Sequence, residues 1–283
     1  MTNRLFIFGL GYSGSEIARQ AKAAGWSVAG TVRGGDKAQQ LAVEGIEAHL
    51  FDGTAPLPAS AFDGSSHVLC TIAPGTEGDP VLRTCAPLLR DARWLGYLST
   101  TGVYGDHGGG WVDETTPPNP GQPRSVERLA AERAWQALGA TLFRLPGIYG
   151  PGRSAIDQVM AGTARRIDKP GQVFSRIHVE DIAATVLAAI ARSSPSAIYN
   201  VADDLAAPTA DVIAYACELL VLPAPPLVPW AEIAPTMSAM ARSFYAENRR
   251  VRNDRIKREL GVTLRYPTYR EGLRGILDAM GSP

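Results

Sequence analysis

The chain has 283 residues, 45% of them apolar and 20% charged. That composition suits one substantial domain, or a larger domain with a smaller lobe, and argues against disorder or membrane spanning. Its 28 basic and 28 acidic side chains cancel, so no global positive field exists to recruit a phosphate backbone, and nucleic acid ranks low among partners.

In chain order, the apolar run after Arg4 stops at Gly9. This is too short for a signal segment or membrane helix, and leaves a cytoplasmic location and no membrane partner as the default expectation. Residues 5–8 predict a strand, 9–14 a tight glycine turn, 16–24 a helix and 26–32 a second strand, together a βαβ unit. Short unalternated apolar runs at 48–51, 67–72 and 95–99 read as strands buried on both faces of a parallel sheet. Residues 126–137, rich in Leu, Ala, Glu and Arg, predict a helix, and 141–145 another buried strand. The alternation predicts an α/β fold, a Rossmann-type doubly wound parallel sheet over residues 1–150. Beyond Gly150, turns at Pro151-Gly152 and Pro170-Gly171 and a proline cluster at 223–229 predict a smaller lobe, residues 151–176 and 206–283. A helix at 182–192 and a strand at 197–201 return residues 177–205 to the first domain. Cys70, Cys85 and Cys217, odd in number and scattered, read as reduced core thiols, and no metal site is expected.

Gly9-Leu10-Gly11-Tyr12-Ser13-Gly14 has the G-x-G-x-x-G spacing between a strand and a helix. The first glycine permits the turn, the second lets backbone approach a pyrophosphate and the third allows close helix–strand packing, while the helix N-terminus offers unpaired N–H groups to phosphate. The second strand ends at Thr31-Val32-Arg33, where NAD-preferring sites place a carboxylate for the ribose 2′-hydroxyl. With no carboxylate to repel a 2′-phosphate and the Arg33 guanidinium to hold one, NADP is expected, with NAD ranked below it; the alternative is that Arg33 is a solvated loop residue. Asp52, ending the third strand, is placed to meet adenine.

Several segments resemble the extended and atypical short-chain dehydrogenase/reductases, which include the NAD-dependent epimerase/dehydratase proteins. They are the glycine turn, Leu98-Ser99-Thr100-Thr101-Gly102-Val103-Tyr104-Gly105, Arg128-Leu129-Ala130-Ala131-Glu132, Arg144-Leu145-Pro146-Gly147-Ile148-Tyr149-Gly150, Ile177-His178-Val179-Glu180-Asp181 and Tyr199-Asn200-Val201. The resemblance implies a small-molecule substrate of sugar-like or nucleotide-linked type, a homodimer on a two-helix interface as the common assembly, and Thr71, Ala73, Pro74, Pro146 and Ile148 as cofactor walls. It also implies that Thr100 matches the Ser/Thr that polarises the substrate oxygen. The family's Tyr-x-x-x-Lys pair, however, falls on Arg124 and Arg128, and arginine stays protonated at any working pH. Tyr104 is left as a substitute proton donor or a packing residue, and His178 as a proton relay or a structural histidine. Arg153 and Arg176 flank the expected cleft, either for an anionic substrate or as solvated surface. The basic run 249–258 reads as a charged helix face, with arginines reaching into the cleft as the alternative. Two functions follow: an oxidoreductase or epimerase, or a cofactor-binding redox sensor with little turnover.

Overall fold

The computed structural model describes residues 3–192 and 197–281. Seven strands, β1 (Arg4–Phe8), β2 (Ser27–Val32), β3 (Glu47–Leu50), β4 (His67–Cys70), β5 (Trp94–Thr100), β6 (Thr141–Leu145) and β7 (Ile198–Asn200), form one sheet. Their order is β3-β2-β1-β4-β5-β6-β7 and every pairing is parallel. This is the doubly wound arrangement expected from the sequence, and it reverses direction between β1 and β4, the crevice where such sheets bind ligands. Leu5, Ile7 and Leu69 face one core layer and Phe6, Phe8 and Val68 the other, which is why these strands read as continuous apolar runs.

Helix α1 (Tyr12–Ala23) turns Ile17, Ala18 and Ala21 to the sheet. Against the same layer lies α4 (Val179–Arg192), whose buried Ile182, Ala183, Val186, Ala189 and Ile190 follow helical spacing. The intervening helices α2 (Gly35–Val43) and α3 (Pro123–Ala137) take the β2–β3 and β5–β6 crossovers, and α3 begins on Pro123, which suits a first helical position. Helices α5 (Thr209–Leu219) and α6 (Tyr269–Ala279) build the smaller lobe with Tyr149 and Ile156.

The boundary expected at residue 206 is too simple. Ile256, Leu260 and Leu264 pack into the core layer shared by α1 and α4, because the helix Asp254–Leu260 buries its apolar side there. Residues 250–251 also pair with 111–112, so the lobe is interleaved with the first domain. Cys70, Cys85 and Cys217 are buried free thiols. Among the described residues no helix is long and apolar enough to cross a membrane.

Candidate functional site

The glycine turn is held from both neighbouring strands. Gly9 N–H donates to Thr31 Oγ1 at 2.8 Å and Thr71 Oγ1 donates to the Gly9 carbonyl at 2.6 Å, so two threonines fix the loop across the β1–β4 crevice. Gly9 itself has φ +93°, in the region that favours glycine. A Cβ on Gly14 would overlap the Gly9 carbonyl oxygen, so Gly14 lets α1 press against the turn. At Gly11 a Cβ would meet nothing within 4 Å. Gly11 caps α1 with no side chain bonding the first amides, leaving them turned to open space, as a pyrophosphate requires.

That space is a cleft of about 940 Å³ lined by Gly9, Leu10, Gly11, Tyr12, Thr31 and Arg33, and on its far side by Asp52, Thr71 and Ala73. Ser13 and Gly14, on the first turn of α1, are buried behind this lining. The Asp52 carboxylate already accepts from Thr54 N and Oγ1 at 2.9 and 2.7 Å, and these bonds hold it below the usual carboxylate pKa. Lys37, on the first turn of α2, lines the same mouth as Arg33. Sequence reasoning passed it over, though a lysine four residues after Arg33 at a helix start was a legible signal.

A second cavity of about 690 Å³ adjoins the first and shares Ala73 with it. Pro74, Thr100, Pro146 and Ile148 form its sheet side, and Arg124 and Arg128 reach it from α3. The lobe closes it with Arg153, Arg176, Thr209 and Tyr269. Thr100 Oγ1 accepts from Gly102 N–H at 3.1 Å, which leaves the hydroxyl proton available. Ser125, also lining the cavity, was missed; it lies three residues before Arg128 and so on the same helix face.

The two arginines differ. Arg128 Nη1 donates to the Leu98 carbonyl at 2.9 Å and the Tyr97 hydroxyl at 3.1 Å, which pins its charge beneath the end of β5. Arg124 is exposed and its guanidinium stands 4.3 Å over the Phe244 ring. Phe244 ends the helix Ala239–Phe244, none of whose residues is buried.

Two expected residues lie elsewhere. Tyr104 is fully buried, donates to Asn200 Oδ1 at 2.7 Å, and stacks under Arg144, itself paired with Glu132 at 2.8 Å. Burial raises its pKa, and it belongs to this polar core rather than the cavity. His178 is 1% exposed, accepts from Glu180 N–H at 3.3 Å through Nδ1 and packs between Tyr149 and Tyr266. Burial pulls its pKa down to about 4, so it is a neutral structural histidine away from the cavity. Of the basic run, Arg249 reaches the cavity and pairs with Glu247 at 2.7 Å. Arg252, Arg255, Lys257 and Arg258 form surface ion pairs with neighbouring carboxylates.

Residues 81–202 match the NAD dependent epimerase/dehydratase family. A conserved protein of unknown function from Silicibacter pomeroyi DSS, known as a solved structure, is 48% identical, with 99% of this chain and 100% of that one covered and a TM-score of 0.91. The 3-diazoavenalumate denitrifying reductase of a Streptomyces species is 28% identical over 233 residues, 78% of this chain and 69% of the relative. The human epimerase family protein solved with NADPH shares the fold at 15% identity, with a TM-score of 0.78 over 97% of this chain and 99% of that one. The chain thus shares the fold of these proteins along its length, and its residues 81–202 carry the match to the NAD dependent epimerase/dehydratase family.

Proposed function

We propose that this chain is a member of the epimerase/dehydratase family and an NADP-dependent oxidoreductase or epimerase acting on a small oxygenated substrate. The carrying observation is the meeting of the two cavities at Ala73, which lets a dinucleotide anchored on the glycine turn extend to Thr100. Gly9, Leu10, Gly11 and Tyr12 would hold the pyrophosphate at the α1 N-terminus. Arg33 and Lys37 would hold a 2′-phosphate, with Asp52 beside the adenosine, and Ala73, Pro74, Pro146 and Ile148 would wall the nicotinamide. When bound, that ring supplies or accepts a hydride.

The chain's own groups orient and stabilise. Thr100, its oxygen engaged by Gly102 N–H, would donate a hydrogen bond from its hydroxyl to the substrate oxygen. Arg128, fixed on Leu98 and Tyr97, places a permanent positive charge near that oxygen and favours negative charge developing on it. Neither arginine trades protons at working pH, so the proton that completes an alcohol comes from water entering the open cavity. The similarity to a reductase supports hydride transfer.

The expected fall of the family's tyrosine and lysine positions on Arg124 and Arg128 supports a second reading, a cofactor-binding redox sensor. Assay of the native protein with NADPH against nucleotide sugars and small carbonyl compounds separates the two. Turnover on any of them removes the sensor; intact NADPH binding without turnover, unchanged when Arg124→Tyr and Arg128→Lys are combined, favours it.

A further inference from the structure

The substrate cavity contains five arginines, Arg124, Arg128, Arg153, Arg176 and Arg249, against one carboxylate, Glu247. Arg249 and Glu247 pair with each other. None of the other four forms an ion pair among the described residues. A neutral chain has therefore gathered four uncompensated guanidiniums around one hollow.

Arg176 is the deepest of them. Its Nη1 donates to the carbonyls of Phe174 at 2.7 Å and Ala207 at 2.9 Å, which fix the side chain, while Nη2 has only a 3.5 Å contact to Thr209 Oγ1. Burial lowers its pKa, and a buried charge of this kind is costly unless something neutralises it. Asp203 is the carboxylate that acts on it, but the two form no ion pair. Asp203 Oδ1 accepts from Leu205 N–H at 3.2 Å, its Oδ2 is buried without a partner, and burial pushes its pKa up to about 8. Burial thus works against the ionised form of Asp203 that would neutralise Arg176.

The surroundings of Arg176 also favour an anion. Thr209 begins α5, whose cap Pro208 has no side chain to bond the first amides, so the positive end of that helix faces the same corner. Asp211 on the first turn is exposed, away from the cavity. Beyond the charged corner the walls are apolar: Val212, Ile213, Leu273 and Phe174.

We infer that this corner is an anion site centred on Arg176, and that the substrate is a compact carbonyl or alcohol compound carrying a carboxylate or phosphate, whose apolar body lies against α5 and α6. The inference rests on the cofactor reading above in one respect: the cavity must hold the nicotinamide end as well as the substrate. Within about 690 Å³ that sharing favours a compact anion over a whole nucleotide sugar, since ligand pockets of roughly 300–1,000 Å³ already suit one drug-sized molecule.

Calorimetric titration of the full-length protein tests this, with and without saturating NADPH. The probes are phenylpyruvate against neutral phenylacetone, dihydroxyacetone phosphate against dihydroxyacetone, and UDP-glucose. One anion is expected to bind at least tenfold tighter than its neutral counterpart and tighter than UDP-glucose, and which pair shows the preference separates a carboxylate from a phosphate. Arg176→Met is expected to reduce that preference below twofold while leaving NADPH affinity unchanged. Because Arg176 also ties two backbone carbonyls, Arg176→Lys serves as the second variant: it keeps the charge without the planar fork and should retain a reduced preference. No preference for either anion, tightest binding by UDP-glucose, or a preference that survives Arg176→Met overturns the anion site. Loss of NADPH binding alone, with anion preference intact in its absence, overturns the cofactor reading instead.

Discussion

The two cavities differ in what builds them. The cofactor cleft is made by backbone: a positive-φ glycine, a glycine with no Cβ to obstruct α1, uncapped amides at a helix start and two threonine bonds to main-chain groups. The substrate cavity is made by side chains drawn from β5, α3, the loop after β6, residues 173–176, α5, α6 and residues 243–251. A backbone site depends on glycines at fixed local spacing. A side-chain site depends on residues from many segments meeting in the fold.

The largest expected effect sharpens the first half of that contrast. Gly14→Ala drives a methyl group into the Gly9 carbonyl. It should cost at least about 2 kcal/mol of stability, the scale of overpacking in a tight core, and abolish NADPH binding, as measured by thermal melts and fluorescence titration. In the second cavity, Thr100→Val should lower turnover about 100-fold, the typical loss on removing one oxygen-directed donor, with NADPH affinity held within about twofold. If turnover survives, Thr100 is a wall and not a participant.

Arg33→Asp should weaken NADPH roughly 10- to 100-fold, consistent with charge-assisted bonds of about 1.5–3 kcal/mol, and leave NADH nearly unchanged. Equal losses for both cofactors would remove the 2′-phosphate assignment.

The pH dependence of the substrate cavity follows from Asp203. The groups acting on it are the Leu205 amide, Arg176, Asp204 and Asp181. Its folded pKa of about 8 exceeds the unfolded value of about 3.9, so between those limits the native state binds the extra proton and this group's contribution to stability declines as pH rises. Above about pH 8 the ionised carboxylate becomes an internal counter-ion for Arg176. Anion affinity should then fall several-fold between pH 7 and 9, and Asp203→Asn should flatten the profile.

The smallest effect on activity is expected at Tyr104→Phe, which removes the bond to Asn200. It should cost about 1 kcal/mol of stability and leave turnover unchanged, because the hydroxyl lies in the core and not in the cavity.

The same contrast explains what could be read from the sequence. The sheet and glycine turn were legible because Leu5 to Phe8, Gly9, Gly11 and Gly14 carry their roles in local spacing, and strand 141–145 is bounded as its apolar run suggests. That Thr100, Arg124 and Arg128 would come together was legible by counting along the motifs, and the three line one cavity. Tyr104 and His178 were not separable from site residues, because only three-dimensional packing shows that Asn200 and the rings of Tyr149 and Tyr266 enclose them. Ser125 and Lys37 were missed although Ser125 is one helical turn from Arg128 and Lys37 is four residues after Arg33. Thr209 and Tyr269 were beyond local reading, since they meet Arg176 only through the lobe's fold. The packing partner of the 254–264 segment was beyond local reading for a similar reason: Ile256 and Leu260 look like any amphipathic helix until the neighbour is known.

The most direct measurement is an NADPH titration of Gly11→Val beside the native protein, paired with thermal melts of both. Gly11 has extended backbone, φ −80° and ψ −153°, and open space where a Cβ would stand, so a valine fits the fold and intrudes only on the cleft. A cofactor seated on this turn predicts saturable NADPH binding by the native protein, at least about 100-fold weaker in Gly11→Val, with melting temperatures that coincide. Equal NADPH affinity in the two proteins would contradict it.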